Sequence, residues 1–403
     1  MKILFITDYP PEEIIGGSIR VLYEQCTRLA NRNHDVHILT RKENFRNGFD
    51  IPRNLSLWKY STNTKNHYSL FLSTFKNGRA LFNDIADKFR FDIINFHQPF
   101  SAVGVLKSPK SFKIKKIYTC HSLSFEEYRS RNGNLNSWFK SPLYTFNRYM
   151  RKRIEKYVLR KSNKIIVLSK YTKKILSIAH NIPSEKCIIA AGGVDLERFC
   201  PADNKINLRR KLNIPKDKIV LFTVRNLVDR MGLENLIIAI KYVVQESPNI
   251  HLIVGGEGPL KKRLLTLTEE LGLKDYISFA GFITEEKLAE YYKAADIFVL
   301  PTKELEGFGL VTLEALASGL PVLGTSIGGT KEILGKLNSN LIFKDTGSES
   351  ISKKIIEKYR IIKNNPQKWE EISLQCRYFV ENNYSWEKNI DVLEGLFAKI
   401  LSS

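Results

Sequence analysis

The sequence predicts an α/β protein of two doubly wound, parallel-sheet domains, on three observations. Short apolar runs alternate with amphipathic stretches in both halves of the chain, a glycine- and proline-bearing segment interrupts that alternation near the middle, and 403 residues exceed what one hydrophobic core usually organises. A deep cleft between two such domains is the expected ligand site.

The elements follow in order. Lys2 to Thr7 is a short apolar run ending in Asp8-Tyr9-Pro10-Pro11; Ile14-Ile15-Gly16-Gly17 follows, then a helical pattern through Val21, Leu22, Cys26 and Leu29. This reads as strand, glycine turn and helix. Further strands are expected at Val36 to Leu39, Asp92 to Phe96, Lys116 to Thr119 and Lys164 to Leu168, giving a first domain over residues 1–195. The stretch from Gly192 to Pro201 reads as the linker. Five more strands are expected at Ile219 to Val224, His251 to Gly255, Ile277 to Phe279, Ile297 to Leu300 and Pro321 to Gly324, in a second domain over residues 196–384. A closing helix through Ile390, Leu393, Leu396 and Ile400, within residues 385–403, is expected to cross back onto the first domain.

Composition narrows the function. The five cysteines are widely spaced with no C-x-x-C pair, which argues against a disulfide framework and a zinc site, and fits a reduced cytoplasm. No apolar run has the length of a signal-peptide core or a membrane helix, so a cytoplasmic protein is expected. Residues 1–200 carry 35 Lys and Arg against 16 Asp and Glu, whereas residues 201–403 carry 28 against 26. Nearly all of the net charge of +21 therefore lies in the first half, which should seek an anionic surface. Nucleic acid ranks low as that partner, because no zinc-finger, helix-turn-helix or RNP-like pattern accompanies the basic residues.

The stretch from Pro301 to Pro321 carries the chemistry. Glu306 and Glu314 stand eight residues apart across Gly307-Phe308-Gly309, and a helix is expected to begin near Leu310. The backbone N–H groups of Phe308, Gly309 and Leu310 would then point out of a helix start and suit a diphosphate. Glu314, a turn inside the helix, can accept hydrogen bonds from two vicinal ribose hydroxyls, and Glu306 would meet the sugar. On general preference alone both could equally be solvent-facing acids.

This block resembles the E-x7-E signature of the family-four retaining glycosyltransferases, whose GT-B fold pairs two facing Rossmann-like domains. Further matches fall in order along the chain: Gly16-Gly17, His34-Asp35-Val36, Gly193-Val194-Asp195 with Phe199 and Pro201, Gly255-Gly256-Glu257-Gly258-Pro259, Ala294-Ala295-Asp296 and Gly328-Gly329-Thr330-Lys331-Glu332. The resemblance implies transfer of a sugar from a UDP- or GDP-sugar to a glycan or lipid-linked acceptor, in cell-surface polysaccharide or glycolipid synthesis. It implies that Glu306 and His121 serve the reacting sugar, and Gly16, Gly17, Arg225, Asn226, Arg230, Glu306, Phe308, Gly309, Leu310 and Glu314 are the expected donor-binding residues; His97, at the end of another strand, is the candidate on the acceptor side.

One departure stands out. The family's diphosphate-clamping arginine and lysine positions hold Asn226 and Met231 here, with Arg225 and Arg230 immediately beside them, and a guanidinium can take over such a clamp with changed geometry. No Asp-x-Asp or His-Glu-x-x-His pattern occurs, so no cofactor and no metal are expected, with charge on the leaving group met by Arg225, Arg230 and the helix start. Two alternatives stay open: a nucleotide-sugar 2-epimerase of the same fold, and a noncatalytic homologue that binds the nucleotide sugar. The basic first half also suggests peripheral docking on the cytoplasmic face of an anionic membrane.

Overall fold

The structure, a computed structural model, describes residues 1–11, 16–43, 52, 54–132 and 142–402. The chain divides into two compact units, Met1–Gly192 with Trp386–Ser403, and Gly193–Ser385. Each is an open parallel sheet covered by helices.

The first unit runs β1 (Lys2–Ile6), α1 (Gly17–Asn31), β2 (Asp35–Arg41), β3 (Leu55–Tyr60), α2 (His67–Lys88), β4 (Ile93–Phe96) and α3 (Pro99–Leu106). It continues through β5 (Lys115–Cys120), α4 (Ser124–Asn132), α5 (Pro142–Lys161), β6 (Lys164–Val167), α6 (Lys170–His180) and β7 (Cys187–Ile189). The strands lie in the order β3-β2-β1-β4-β5-β6-β7, all parallel. The central strands are apolar on both faces, as a sheet covered on both sides requires: Ile3, Leu4, Phe5 and Ile6 are all fully buried. The chain reverses direction across the sheet between β1 and β4, so the loops after these strands' carboxyl ends surround a topological switch point. The edge strands β3 and β7 are not among those the sequence pattern predicts. Of the turn after β1, Ile14 and Ile15 lie outside the described residues, whereas Gly16, at φ +94°, precedes α1 in a conformation that favours glycine.

The second unit holds α7 (Lys205–Lys211), β8 (Ile219–Val224), α8 (Leu233–Glu246), β9 (Ile250–Gly255), α9 (Lys261–Glu270), β10 (Ile277–Gly281) and α10 (Glu285–Ala294). After these come β11 (Ile297–Leu300), α11 (Leu310–Ala317), β12 (Val322–Gly324), α12 (Gly328–Leu337), α13 (Ser348–Asn364) and α14 (Pro366–Asn383). Its sheet runs β10-β9-β8-β11-β12, again all parallel. The stretch after Gly193, read above as linker, is folded into this unit. Val194 bridges Ser385, Phe199 is buried, and Nη1 of Arg377 donates to the carbonyls of Leu196, Phe199 and Ala317.

A final helix, α15 (Trp386–Leu401), belongs to the first unit. Its Ile390, Leu393, Phe397 and Ile400 share one apolar cluster with Ile3, Phe5, Leu22 and Leu29. Within that contact the Asn389 side chain accepts from Nε2 of Gln25 at 3.1 Å and donates to the carbonyls of Ala190 and Ala191 at 3.2 and 2.8 Å. On the solvent side Arg32 pairs with both Asp391 and Glu394.

Candidate functional site

In the second unit the candidate residues gather at the carboxyl ends of β8 and β11, where a parallel sheet opens to ligands. β11 ends at Leu300, and the next residues form the loop that carries Glu306. That loop is tightly held: Leu305 takes a left-handed φ of +59°, the Thr302 carbonyl accepts from Oγ1 of Thr325 at 2.6 Å, and the Glu306 carbonyl accepts from the Gly329 N–H at 2.9 Å. Gly328, at φ +60°, lies so close that a Cβ there would stand 1.9 Å from the Glu306 carbonyl oxygen. The two glycines that open α12 thus let it pack against the glutamate loop.

Gly309 then takes φ +89° and α11 starts at Leu310. The first N–H groups of this helix have no partner inside it and present partial positive charge. Glu314, one turn further, is buried, and its carboxylate accepts a 2.9 Å hydrogen bond from the hydroxyl of Tyr292 on α10. Burial beside that carboxylate pushes the Tyr292 hydroxyl far above the ordinary phenol range, which keeps it a donor.

Glu306 is buried as well, and Nη2 of Arg225 at the end of β8 forms an ion pair with its carboxylate. Thr302 sits 3.3 Å from both Glu306 Oε2 and Arg225 Nη2, and the Met231 sulfur lies 2.9 and 3.2 Å from Nη2 and Nε of the same guanidinium. Arg225 is thus held against the glutamate loop by these contacts. Arg230 reaches the same loop by donating to the Leu305 carbonyl at 3.1 Å. Asn226 is exposed, while Met231 is buried against Arg225, so the two positions where the family pattern departs stand in different surroundings. The turn at Gly255–Gly258 backs this arrangement, since a Cβ on Gly256 would lie 1.9 Å from the Arg225 carbonyl.

The structure thus brings Arg225, Arg230, Glu306, Phe308, Gly309, Leu310 and Glu314 together in one unit. Gly16, Gly17, His97 and His121 belong to the other. There His97 and His121 follow directly on β4 and β5, and His97 Nδ1 and His121 Nε2 share a 3.0 Å hydrogen bond. Their outer nitrogens, His97 Nε2 and His121 Nδ1, are buried without a hydrogen-bond partner. Whichever ring donates, one outer nitrogen carries a proton and the other a bare lone pair. Burial pushes the His121 imidazole down to about 4 and His97 well below its ordinary value, so both are neutral near pH 7.

Tyr292, Thr302 and the Met231–Arg225 contact are absent from the sequence reading. The signal for Tyr292 is faint: Leu288, Ala289 and Tyr292 form the buried face of α10. Among the described residues no three His, Cys, Asp or Glu side chains converge as a metal ion requires, and no helix is long and apolar enough to cross a membrane.

Comparison with known proteins accords with this architecture. Residues 15–198 match the Glycosyltransferase Family 4 description and residues 204–374 that of Glycosyl transferases group 1. An uncharacterized glycosyltransferase of Methanocaldococcus jannaschii is 25% identical over 343 residues, covering 83% of each chain. The alpha-monoglucosyldiacylglycerol synthase of Streptococcus pneumoniae is 27% identical, over 80% of this chain and 70% of that protein. Among solved structures, sucrose-phosphate synthase from Thermosynechococcus elongatus superposes with a TM-score of 0.82 at 21% identity, covering 100% of this chain and 99% of that one. HepE of Anabaena, solved with UDP and glucose, reaches 0.75 at 17% identity, covering 99% of this chain and 100% of that one. With matches to both halves and a sheet pair of the same kind, the chain belongs to the family-four glycosyltransferases and has the GT-B fold.

Proposed function

We propose that this glycosyltransferase moves a hexose from a nucleoside diphosphate sugar to a glycan or lipid-linked acceptor, with retention of configuration and without a metal ion. The observation that carries the reading is the loop and helix from Glu306 to Glu314, in which a buried carboxylate, an open helix start and a second buried carboxylate follow one another along one short stretch of chain. In this reading the N–H groups of Gly309 and Leu310 receive the diphosphate, and Glu314, steadied by Tyr292, receives the ribose hydroxyls. Glu306, fixed by Arg225, orients the sugar, and Arg230 adds positive charge beside the same loop. As the bond to the leaving group lengthens, negative charge collects on the diphosphate, and preorganised donors there favour the transition state over the bound donor. His121 of the first unit would face the sugar from the acceptor side, and His97 fixes its ring.

HepE, solved with UDP and glucose, supports a nucleotide donor by analogy, and the alpha-monoglucosyldiacylglycerol synthase, named for a glycolipid, supports a lipid acceptor. Retention follows most simply from attack on the face that the leaving group departs, because Glu306 and Glu314 serve sugar and ribose and do not form an acid and nucleophile pair. Cell-surface polysaccharide or glycolipid synthesis is the setting proposed. Peripheral docking on an anionic membrane is proposed on the α5 helix. Its first half exposes Leu143, Phe146 and Tyr149 beside exposed Lys152 and Arg153, whereas in its second half Ile154, Tyr157 and Val158 pack on the core.

The test is nucleoside diphosphate release from candidate UDP- and GDP-sugars, with and without acceptor extracts, in the presence of EDTA. Acceptor-stimulated release that survives chelation is expected. Release that needs added Mg²⁺ would overturn the metal-free site, and interconversion of the sugar without release would point to an epimerase.

A further inference from the structure

Among the described residues Arg151 on α5 forms no ion pair. Its guanidinium lies over the Phe100 ring at 4.8 Å and over the Tyr128 ring at 4.6 Å, and among the described residues it has no hydrogen bond or ion pair. Its neighbours differ: Arg148 and Arg129 both pair with Glu126. Burial pushes the Arg151 pKa down, as expected for a half-buried charge that is stacked but not neutralised. Asp8 lies near enough for its charge to act on it, yet among the described residues Asp8 makes no ion pair there and accepts instead from the Ser101 N–H at the start of α3.

The setting of Arg151 matters as much as its isolation. Phe100 is on α3, which begins two residues after His97, and Tyr128 is on α4, which begins three residues after His121. Both aromatic rings thus ride on the elements that leave the carboxyl ends of β4 and β5. Neither ring offers an oxygen acceptor, so the N–H donors of this guanidinium have no hydrogen-bond partner among the described residues, and these are the donors that match a phosphate bidentately.

We propose that Arg151 is the anchor for a phosphate group carried by the acceptor, either as a free phosphomonoester or within a lipid headgroup. The inference rests on reading the first unit as the acceptor side. Desolvation without a counterion is costly, and an arriving phosphate offsets that cost while fixing the acceptor relative to the histidine pair.

The experiment uses the full chain with its donor site saturated by whichever of UDP or GDP raises Tm more. Two probes are titrated: glycerol 3-phosphate, with glycerol as its control, and vesicles of phosphatidylglycerol in phosphatidylcholine at 0.15 M salt. Native protein is compared with Arg151→Gln and with Arg151→Lys, which keeps the charge but loses the planar fork. Phosphate binding is expected to weaken about tenfold to a hundredfold in Arg151→Gln and about tenfold in Arg151→Lys. Nucleotide affinity should stay the same. An effect on glycerol 3-phosphate assigns a free phosphate, and an effect of Arg151→Lys confined to vesicles assigns the lipid headgroup, because general electrostatic docking survives that exchange. Equal affinities of native protein and Arg151→Lys for both probes would overturn the anchor. Failure of both nucleotides to bind would instead count against the proposed function and leave Arg151 to be judged by the phosphate titration alone.

Discussion

The two buried glutamates of the candidate site are held differently, and the difference sets what their loss should do. Glu314 accepts from a neutral donor, the Tyr292 hydroxyl, whereas Glu306 is paired with a buried guanidinium. Glu314→Ala is expected to weaken donor affinity by about tenfold or more while Glu306→Ala chiefly lowers turnover, because one carboxylate is assigned to the ribose and the other to the reacting sugar. Tyr292→Phe should follow Glu314→Ala in kind at about 1 kcal/mol, read as a rise in donor KM. Unchanged donor affinity in Glu314→Ala would remove the ribose assignment. The histidine pair makes a separate prediction. A histidine whose folded pKa is depressed binds its proton more readily when the chain is unfolded. The unfolded state therefore gains protons first on acidification, and this contribution to stability, complete above about pH 6.5, is lost as pH falls toward about 4. Denaturant melts of native protein and His121→Gln over that range should show a shallower fall in the variant. Parallel curves would show that His121 is not the group responsible.

At the scale of elements, the central strands are legible in the sequence because burial on both faces demands continuous apolar runs such as Ile3-Leu4-Phe5-Ile6 and Ile297-Phe298-Val299-Leu300. The edges are not. β3 reads Leu55-Ser56-Leu57-Trp58-Lys59-Tyr60 with most of its residues half-buried, and β7 has three residues, so neither carries a strong pattern. The same division holds for the candidate site. A glycine loop leading into a helix near Leu310 is local chemistry, written in adjacent residues. The partners of the glutamates are not local: Tyr292 lies 22 residues before Glu314, and Arg225 lies 81 before Glu306, so tertiary packing alone pairs them. Elements also meet through buried amides, and α15 is the case to test. Asn389→Leu keeps an apolar-compatible size but strands Gln25 Nε2 and takes a donor from the Ala190 and Ala191 carbonyls. A loss of roughly 1–3 kcal/mol by chemical denaturation is expected, while a variant as stable as the native chain would mean that the apolar face alone seats the helix.

The whole molecule carries its charge unevenly, with a net +19 over residues 1–200 and +2 over residues 201–403. If the first unit docks on lipid by charge, each Lys or Arg near the surface contributes about 1 kcal/mol and the sum falls steeply with salt. Co-sedimentation with vesicles should therefore rise with anionic lipid content and collapse at high salt. Binding that ignores lipid charge, or none at low salt, would leave a soluble acidic acceptor as the explanation of the basic half. Chain order has a further consequence. The first unit owns both the opening 192 residues and α15, while the second lies wholly between them. On the ribosome the second unit can thus close as soon as its own residues have emerged, but the first must wait for the last helix, with the apolar surface around Ile3, Phe5 and Leu29 left uncovered meanwhile. The part made first is finished last, and during that interval it is the part most in need of a chaperone.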